Sequence, residues 1–134
     1  MKPFKTGDQS PIHCCGCKTT VSALLVQNKS GVMGWVCTTC RANVKAHSKT
    51  LAPIGTLADE QMKIIRNKLT ETATIMLNET NEDRAVLHKL VSTRFGKPLR
   101  IPLISTRDEG LKAHKALKYV TEMLQAETQV MQTW

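Results

Sequence analysis

The residues best suited to chemistry in this chain are its five cysteines, all of which fall between positions 14 and 40. Four of them form two Cys-x₂-Cys pairs, Cys14/Cys17 and Cys37/Cys40, with nineteen residues between the pairs. A pair at this spacing presents two sulfurs to one ion from a single tight turn. A chain reversal between the pairs then completes a tetrahedron of soft donors, the arrangement Zn²⁺ prefers. The spacing therefore predicts one structural Zn²⁺ held by Cys14, Cys17, Cys37 and Cys40. Four thiolates leave no open position, so such an ion stabilises a fold and does not activate water. A segment of about 40 residues with few large apolar side chains depends on that ion to fold.

Cys15 is left over. It reads as a small packed or exposed thiol; as a replacement for Cys14 it would form Cys15-x-Cys17, tighter than the usual knuckle. His13 and His47 are weaker substitutes. An odd, clustered set speaks against a disulfide scaffold and for a reducing compartment. Redox use of the Cys-x₂-Cys motifs fits two hairpin-spaced pairs less well than a metal does.

Local patterning supplies the elements that would carry these pairs. Residues 1–12 lack a period and contain Pro3, Gly7 and Pro11, and read as a draped or flexible tail. The run 19–26 is β-prone, Asn28-Lys29-Ser30-Gly31 holds turn residues, and Val32 to Val36 returns as a second strand. Residues 41–47 lack Gly and Pro and suit a short helix. Pro53 and Gly55 break the chain into a linker over 51–56.

The remainder reads as helical. Thr56 with Asp59 and Glu60 marks a helix start, followed by Ala58, Met62, Ile65, Leu69, Ala73 and Met76 on one face. Asn81-Glu82-Asp83 opens a second helix with Val86, Leu87, Leu90, Val91 and Phe95 as its apolar side, ended by Gly96. Pro98 and Pro102 keep 97–102 extended. Ser105 or Thr106 caps a third helix with the stripe Ala113, Leu117, Val120, Leu124 and Met131, flanked by Ala116 and Met123. The expected fold class is α+β: a small zinc finger over 1–50, of treble-clef or zinc-ribbon type, a linker over 51–56, and an all-α three-helix domain over 57–134. Met62, Met76, Met123 and Met131 read as core filler, although Met-rich faces also bind partner helices.

Two resemblances add to this. The segment Trp35-Val36-Cys37-Thr38-Thr39-Cys40-Arg41-Ala42-Asn43-Val44-Lys45 resembles the second half of GATA-type treble-clef fingers, whose second knuckle opens a basic helix that enters the DNA major groove. That resemblance implies base or phosphate contacts from Arg41, Asn43, Lys45 and His47. The chain departs from it in the hairpin, where Ala23-Leu24-Leu25-Val26 is apolar. Residues 57–134 are similar to the C-terminal helical domain of bacteriophage antirepressor-type proteins, through Leu87-x₂-Leu90, Arg94-Phe95-Gly96 and Ile101-Pro102 before a long last helix. This implies a phage or prophage regulator.

Charge points the same way. The formal net charge is +8. Residues 1–56 carry seven Lys/Arg against the single acid Asp8, and residues 57–134 carry twelve basic and ten acidic residues. Four thiolates and one divalent ion add −2, leaving the first segment near +4. Such an excess attracts polyanions without specifying their sequence. Arg41, Lys45 and Lys49 are four apart and would share one face of a helix. Lys97 and Arg100 on the proline-containing loop, with Lys89 and Arg94 before them, would extend the basic surface. Lys112, Lys115 and Lys118 read as an ordinary solvated face.

No enzyme motif is evident: there is no HxE near a Cys-x₂-Cys, no P-loop, no dinucleotide fingerprint and no nucleophile elbow. His88 and His114 lie on expected helices in ordinary roles. The N-terminus MKPFKTGDQS has no secretory apolar stretch, and no run approaches the roughly 18 apolar residues of a membrane span. The expectation is a cytoplasmic, non-enzymatic, zinc-dependent nucleic-acid-binding regulator, favouring DNA over RNA. Its helical domain would serve self-association or a protein partner. The rival expectation is a zinc-stiffened adapter that docks on a polymerase or repressor through its apolar hairpin.

Overall fold

The computed structural model describes residues 4–132, with side chains to Glu127. Its elements are β1 (Gln9–Cys14), β2 (Thr19–Gln27), β3 (Met33–Cys37), β4 (Asn43–Lys45), α1 (Glu60–Thr80), α2 (Arg84–Phe95), a 3₁₀ turn at Ile101–Leu103, and α3 (Arg107–Gln132). They divide into two compact units: one runs up to Ile64 and takes in Pro102–Thr106, and the other holds Ile65–Ile101 and the chain from Arg107.

In the first unit the strands form an antiparallel sheet in the order β1-β2-β3-β4. Strand alternation places Ile12, Ala23, Leu25, Trp35, Cys37 and Val44 on one face, and all six are buried. Trp35 is fully buried; its indole N–H donates to the Leu51 carbonyl at 2.8 Å, and the Phe4 ring meets it edge-on at 5.1 Å. A buried indole needs such a partner, because a lone buried donor is costly. The β2–β3 turn is set by Asn28, whose side-chain oxygen accepts from the amides of Ser30 and Val32, both at 2.9 Å.

Three expectations are corrected here. Residues 41–47 do not form a helix. Arg41 takes a left-handed conformation (φ 65°) and Asn43–Lys45 pairs with β3, Trp35 opposite Val44. Ala42, Val44 and Ala46 alternate with Asn43 and Lys45, a period of two that a sheet uses; absence of Gly and Pro permits a helix without requiring one. Of the two finger types expected, the hairpins on both sides therefore follow the ribbon plan, and the treble-clef helix is absent.

The tail is not loose up to residue 12. Gln9–Cys14 pairs with β2, and Ile12 is buried. Pro11 is tolerated because β1 lies at the sheet edge. Nor is 51–56 a free linker: Ala46 bridges Pro53, and the Ile54 amide donates to Lys45 O at 3.1 Å.

Residues 57 and 58 close the sheet. The Leu57 amide donates to His13 O and its carbonyl accepts from Cys15 N, both at 2.9 Å, so Leu57 lies along β1. Ala58 exchanges two backbone bonds with Asn43 of β4, at 2.9 and 3.0 Å. Both outer strands thus find partners in two consecutive residues, which satisfies edge groups that would otherwise invite foreign strands. Asp59 follows immediately and caps α1, accepting from the Met62 amide at 2.9 Å. The expected cap, Thr56, instead places its hydroxyl 2.9 Å from that of Ser105.

In the second unit Leu69, Met76, Leu87, Val91, Phe95, Leu99, Ala113, Ala116, Leu117 and Val120 are buried. The expected stripes are largely those observed; Val86 is exposed, Ala116 is fully inside, and Met131 lies outside the described side chains. Asp83 caps α2 by accepting from Ala85 N at 2.9 Å, and Gly96 ends it with φ 98°, its amide donating to Ser92 O. A left-handed terminus of this kind favours glycine, which has no Cβ to clash. Among the described residues no helix is long and apolar enough to cross a membrane.

Candidate metal centre

The two knuckles sit at the ends of hairpins and repeat each other. In the first, β1 delivers Cys14 and the chain turns through Cys15, Gly16 and Cys17 into β2. In the second, β3 delivers Cys37 and the chain turns through Thr38, Thr39 and Cys40 towards β4. The residue after each pair, Lys18 or Arg41, has a left-handed φ of 59° or 65°. Each donates its amide to the carbonyl of the first cysteine of its pair, at 2.8 Å (Lys18 to Cys14) and 3.0 Å (Arg41 to Cys37). Amides inside each turn point at the first sulfur: Cys17 N lies 3.4 Å from Cys14 Sγ, and those of Cys40 and Thr39 donate to Cys37.

The four sulfurs lie within 4.8 Å of one another, with Cys14–Cys40 at 3.3 Å and Cys17–Cys37 at 3.7 Å. Zinc–sulfur bonds of about 2.3 Å at tetrahedral angles need edges of about 3.8 Å, so the set fits one ion. Gly16 makes room for it: a Cβ there would lie 2.8 Å from Cys40 Sγ. Cys15 stays outside the set, buried, with its sulfur 3.7 Å from the Thr56 hydroxyl.

The family model of a zinc-finger-containing domain, DUF3268, matches residues 10–124. The chain belongs to this family. A search of the curated proteins and one of the solved structures return no match. The DUF3268 match and the sulfur geometry agree on one structural Zn²⁺ held by the four cysteines.

Without the ion the thiols of this zinc-finger-containing domain are strongly perturbed. The Cys40 and Thr39 amides bring Cys37 down to about 6 against the opposing effect of burial. Hydrogen bonding with the Cys40 sulfur, then the Cys37 sulfur, pushes Cys17 up to about 12. Burial raises Cys14. A site that already favours one thiolate while others hold protons binds a divalent cation by exchanging protons for it.

The structure distributes the expected nucleic-acid residues of the DUF3268 chain unevenly. Arg41, Lys45, His47 and Lys49 are exposed, on the second knuckle, β4 and the turn beyond it, but they share no helical face. Asn43 is half-buried, with its side-chain amide donating to Arg41 O at 3.3 Å. Lys97 and Arg100 are exposed in the second unit, and Lys97 pairs with Glu109 at 3.0 Å. Sequence reading overlooked Lys18, the counterpart of Arg41; its place directly after a Cys-x₂-Cys was the available signal. It also overlooked Gly16 and the 57–58 strap, for which only the tertiary approach supplies a reason.

Proposed function

We propose that this protein is a non-enzymatic regulator whose zinc unit binds nucleic acid through its phosphates, DNA in preference to RNA. The observation that supports this is the state of its cations. Lys5, Lys18, Lys29, Arg41, Lys45 and Lys49 are all exposed, and among the described residues none of their side-chain cations is in an ion pair; Asp8 accepts only from the backbone amide of Lys5, at 2.9 Å. Lys18 and Arg41 stand beside the knuckles and offset part of the −2 charge of the zinc–thiolate group. Lys29, Lys45 and Lys49 have no such counterweight.

With β4 in place of the helix, the zinc unit lacks the recognition helix of a GATA-type finger. Its exposed lysines and Arg41 suit phosphate contacts, which position without specifying sequence. The resemblance of the helical segment to phage antirepressor-type proteins supports a role in phage transcription or recombination.

The test is titration of labelled DNA and RNA, single- and double-stranded, at about 50 and 200 mM salt. Affinity should fall steeply with salt, by a slope of roughly 0.9 per neutralised phosphate on duplex. Arg41→Ala with Lys45→Ala should flatten that slope by up to about 2 while zinc content holds at one ion. Lack of binding at low salt would refute the proposal.

A second reading, a protein adapter, is favoured by one specific observation. The outer sheet face carries half-buried Leu24, Val26 and Val36, and a groove of about 350 Å³ lies along Val26, Val32, Val36 and Lys45. A protein captured with native zinc-loaded chain, and lost on Val36→Asp, would support it.

A further inference from the structure

The second unit holds a feature that the zinc centre does not explain. Tyr119, the chain's single tyrosine, is 47% exposed on α3. The guanidinium of Arg94, from the last turn of α2, lies over its ring with Cζ 4.1 Å from the centroid. Lys97 and Lys112 lie 5.7 and 5.5 Å from the ring of Phe95, the residue after Arg94, and Lys112 is about two turns before Tyr119 on α3. Lys97 is paired with Glu109, but among the described residues Arg94 and Lys112 have no carboxylate partner. Lys115 is one turn from Tyr119 on α3 and also exposed.

A helix surface has little use for a half-exposed ring as packing, since much of its area stays in water. A ring stacked on a guanidinium has a different value. The intrinsically planar cation is pre-oriented by the ring, and its outer face offers the flat, delocalised surface on which unpaired bases stack. Lysines around the stack supply point charges for the phosphates on either side of such a base. A base within a duplex is stacked on both faces and cannot use the platform. We infer that the Arg94–Tyr119 stack, with Lys112 and Lys115, is a docking platform for single-stranded nucleic acid, one unpaired base stacked and its flanking phosphates held. This rests on the nucleic-acid reading above and adds to it the strandedness of the ligand and the residues that recognise it.

The probes are fluorescein-labelled oligo(dT), oligo(U) and a mixed-sequence duplex, titrated with the zinc-loaded full chain. The base lies on the guanidinium, and Tyr119 orients that cation through a contact worth about 0.5–1 kcal/mol at an exposed site, so Tyr119→Leu should weaken both single strands by roughly 2- to 5-fold. Duplex affinity should stay within about twofold. Tyr119→Phe, which keeps the ring, should bind like the parent, and Arg94→Lys, which keeps charge but not the plane, should lose at least as much as Tyr119→Leu. Circular dichroism melts of all three variants check that the helices persist, and Arg94→Lys carries the test if Tyr119→Leu unfolds. The two single strands separate DNA from RNA. Unchanged single-strand binding in Tyr119→Leu, or equal losses on duplex, overturns the platform while leaving phosphate binding by the zinc unit intact. Failure of the parent chain to bind any probe at low salt overturns both.

Discussion

Replacing Gly16 with alanine isolates the contribution of one missing atom to the zinc centre. The new Cβ would lie 2.8 Å from Cys40 Sγ, where ordinary contact starts near 3.4 Å, so the sulfur must retreat by about 0.6 Å. A sulfur bonded at about 2.3 Å to an ion shared with three others cannot do this without distorting the tetrahedron. Overpacking of this size costs about 1–3 kcal/mol. An opposing effect comes from the unfolded chain, whose freedom alanine reduces, worth about 0.4–1 kcal/mol in favour of the variant where the backbone tolerates it. Gly16 is outside the left-handed region, so that benefit applies in full. The mid-range values leave a net loss of about 1.3 kcal/mol, a zinc affinity lower by about tenfold. Chelator competition at neutral pH measures it. Thr39 occupies the matching position of the second knuckle and is exposed with an ordinary side chain, so the need for glycine comes from the approach of Cys40 and not from the turn. Zinc bound as tightly by Gly16→Ala as by the parent would refute this reasoning.

Two further outcomes follow from the same centre. At neutral pH the metal-free site retains protons on Cys17, pushed up to about 12, and on the buried Cys14, whereas Cys37, lowered to about 6, has shed its own. Zinc must expel at least two protons, so its association constant rises by about two decades or more per pH unit between roughly 6.5 and 8 and falls on acidification; a slope below one decade, by competition titration, contradicts the proton inventory. Cys15→Ala should keep one zinc per chain by elemental analysis and lower stability by roughly 1 kcal/mol through lost packing; a stoichiometry below one would make Cys15 a ligand.

The metal set was legible because chemistry confines it: two Cys-x₂-Cys pairs with a strand–turn–strand between them admit few other uses. The helix ends at Asp83 and Gly96 were legible for a similar reason, since caps act within a few residues. The failures lie where the deciding partner is remote in sequence. Residues 41–47 tolerate a helix locally, and it is β3 on one side and Ala58 on the other that make 43–45 a strand. Residues 51–56 look like a linker by Pro53 and Gly55, yet Leu57 and Ala58 beyond them occupy places a sheet needs filled. The cap at Asp59 rather than Thr56 has the same origin, because the helix cannot begin until the strap has ended.

That strap has a consequence for how the ion is felt along the polypeptide. His13 and Cys15, on either side of ligand Cys14, grip Leu57, and Asn43 beyond the second knuckle grips Ala58; the next residue launches α1. The start of this helix is thus anchored to loops whose shape the metal dictates. Chelation should release the Leu57 and Ala58 amides to deuterium together and unwind the opening turn at Met62, giving occupancy of the centre an audible signature in protons that touch no sulfur.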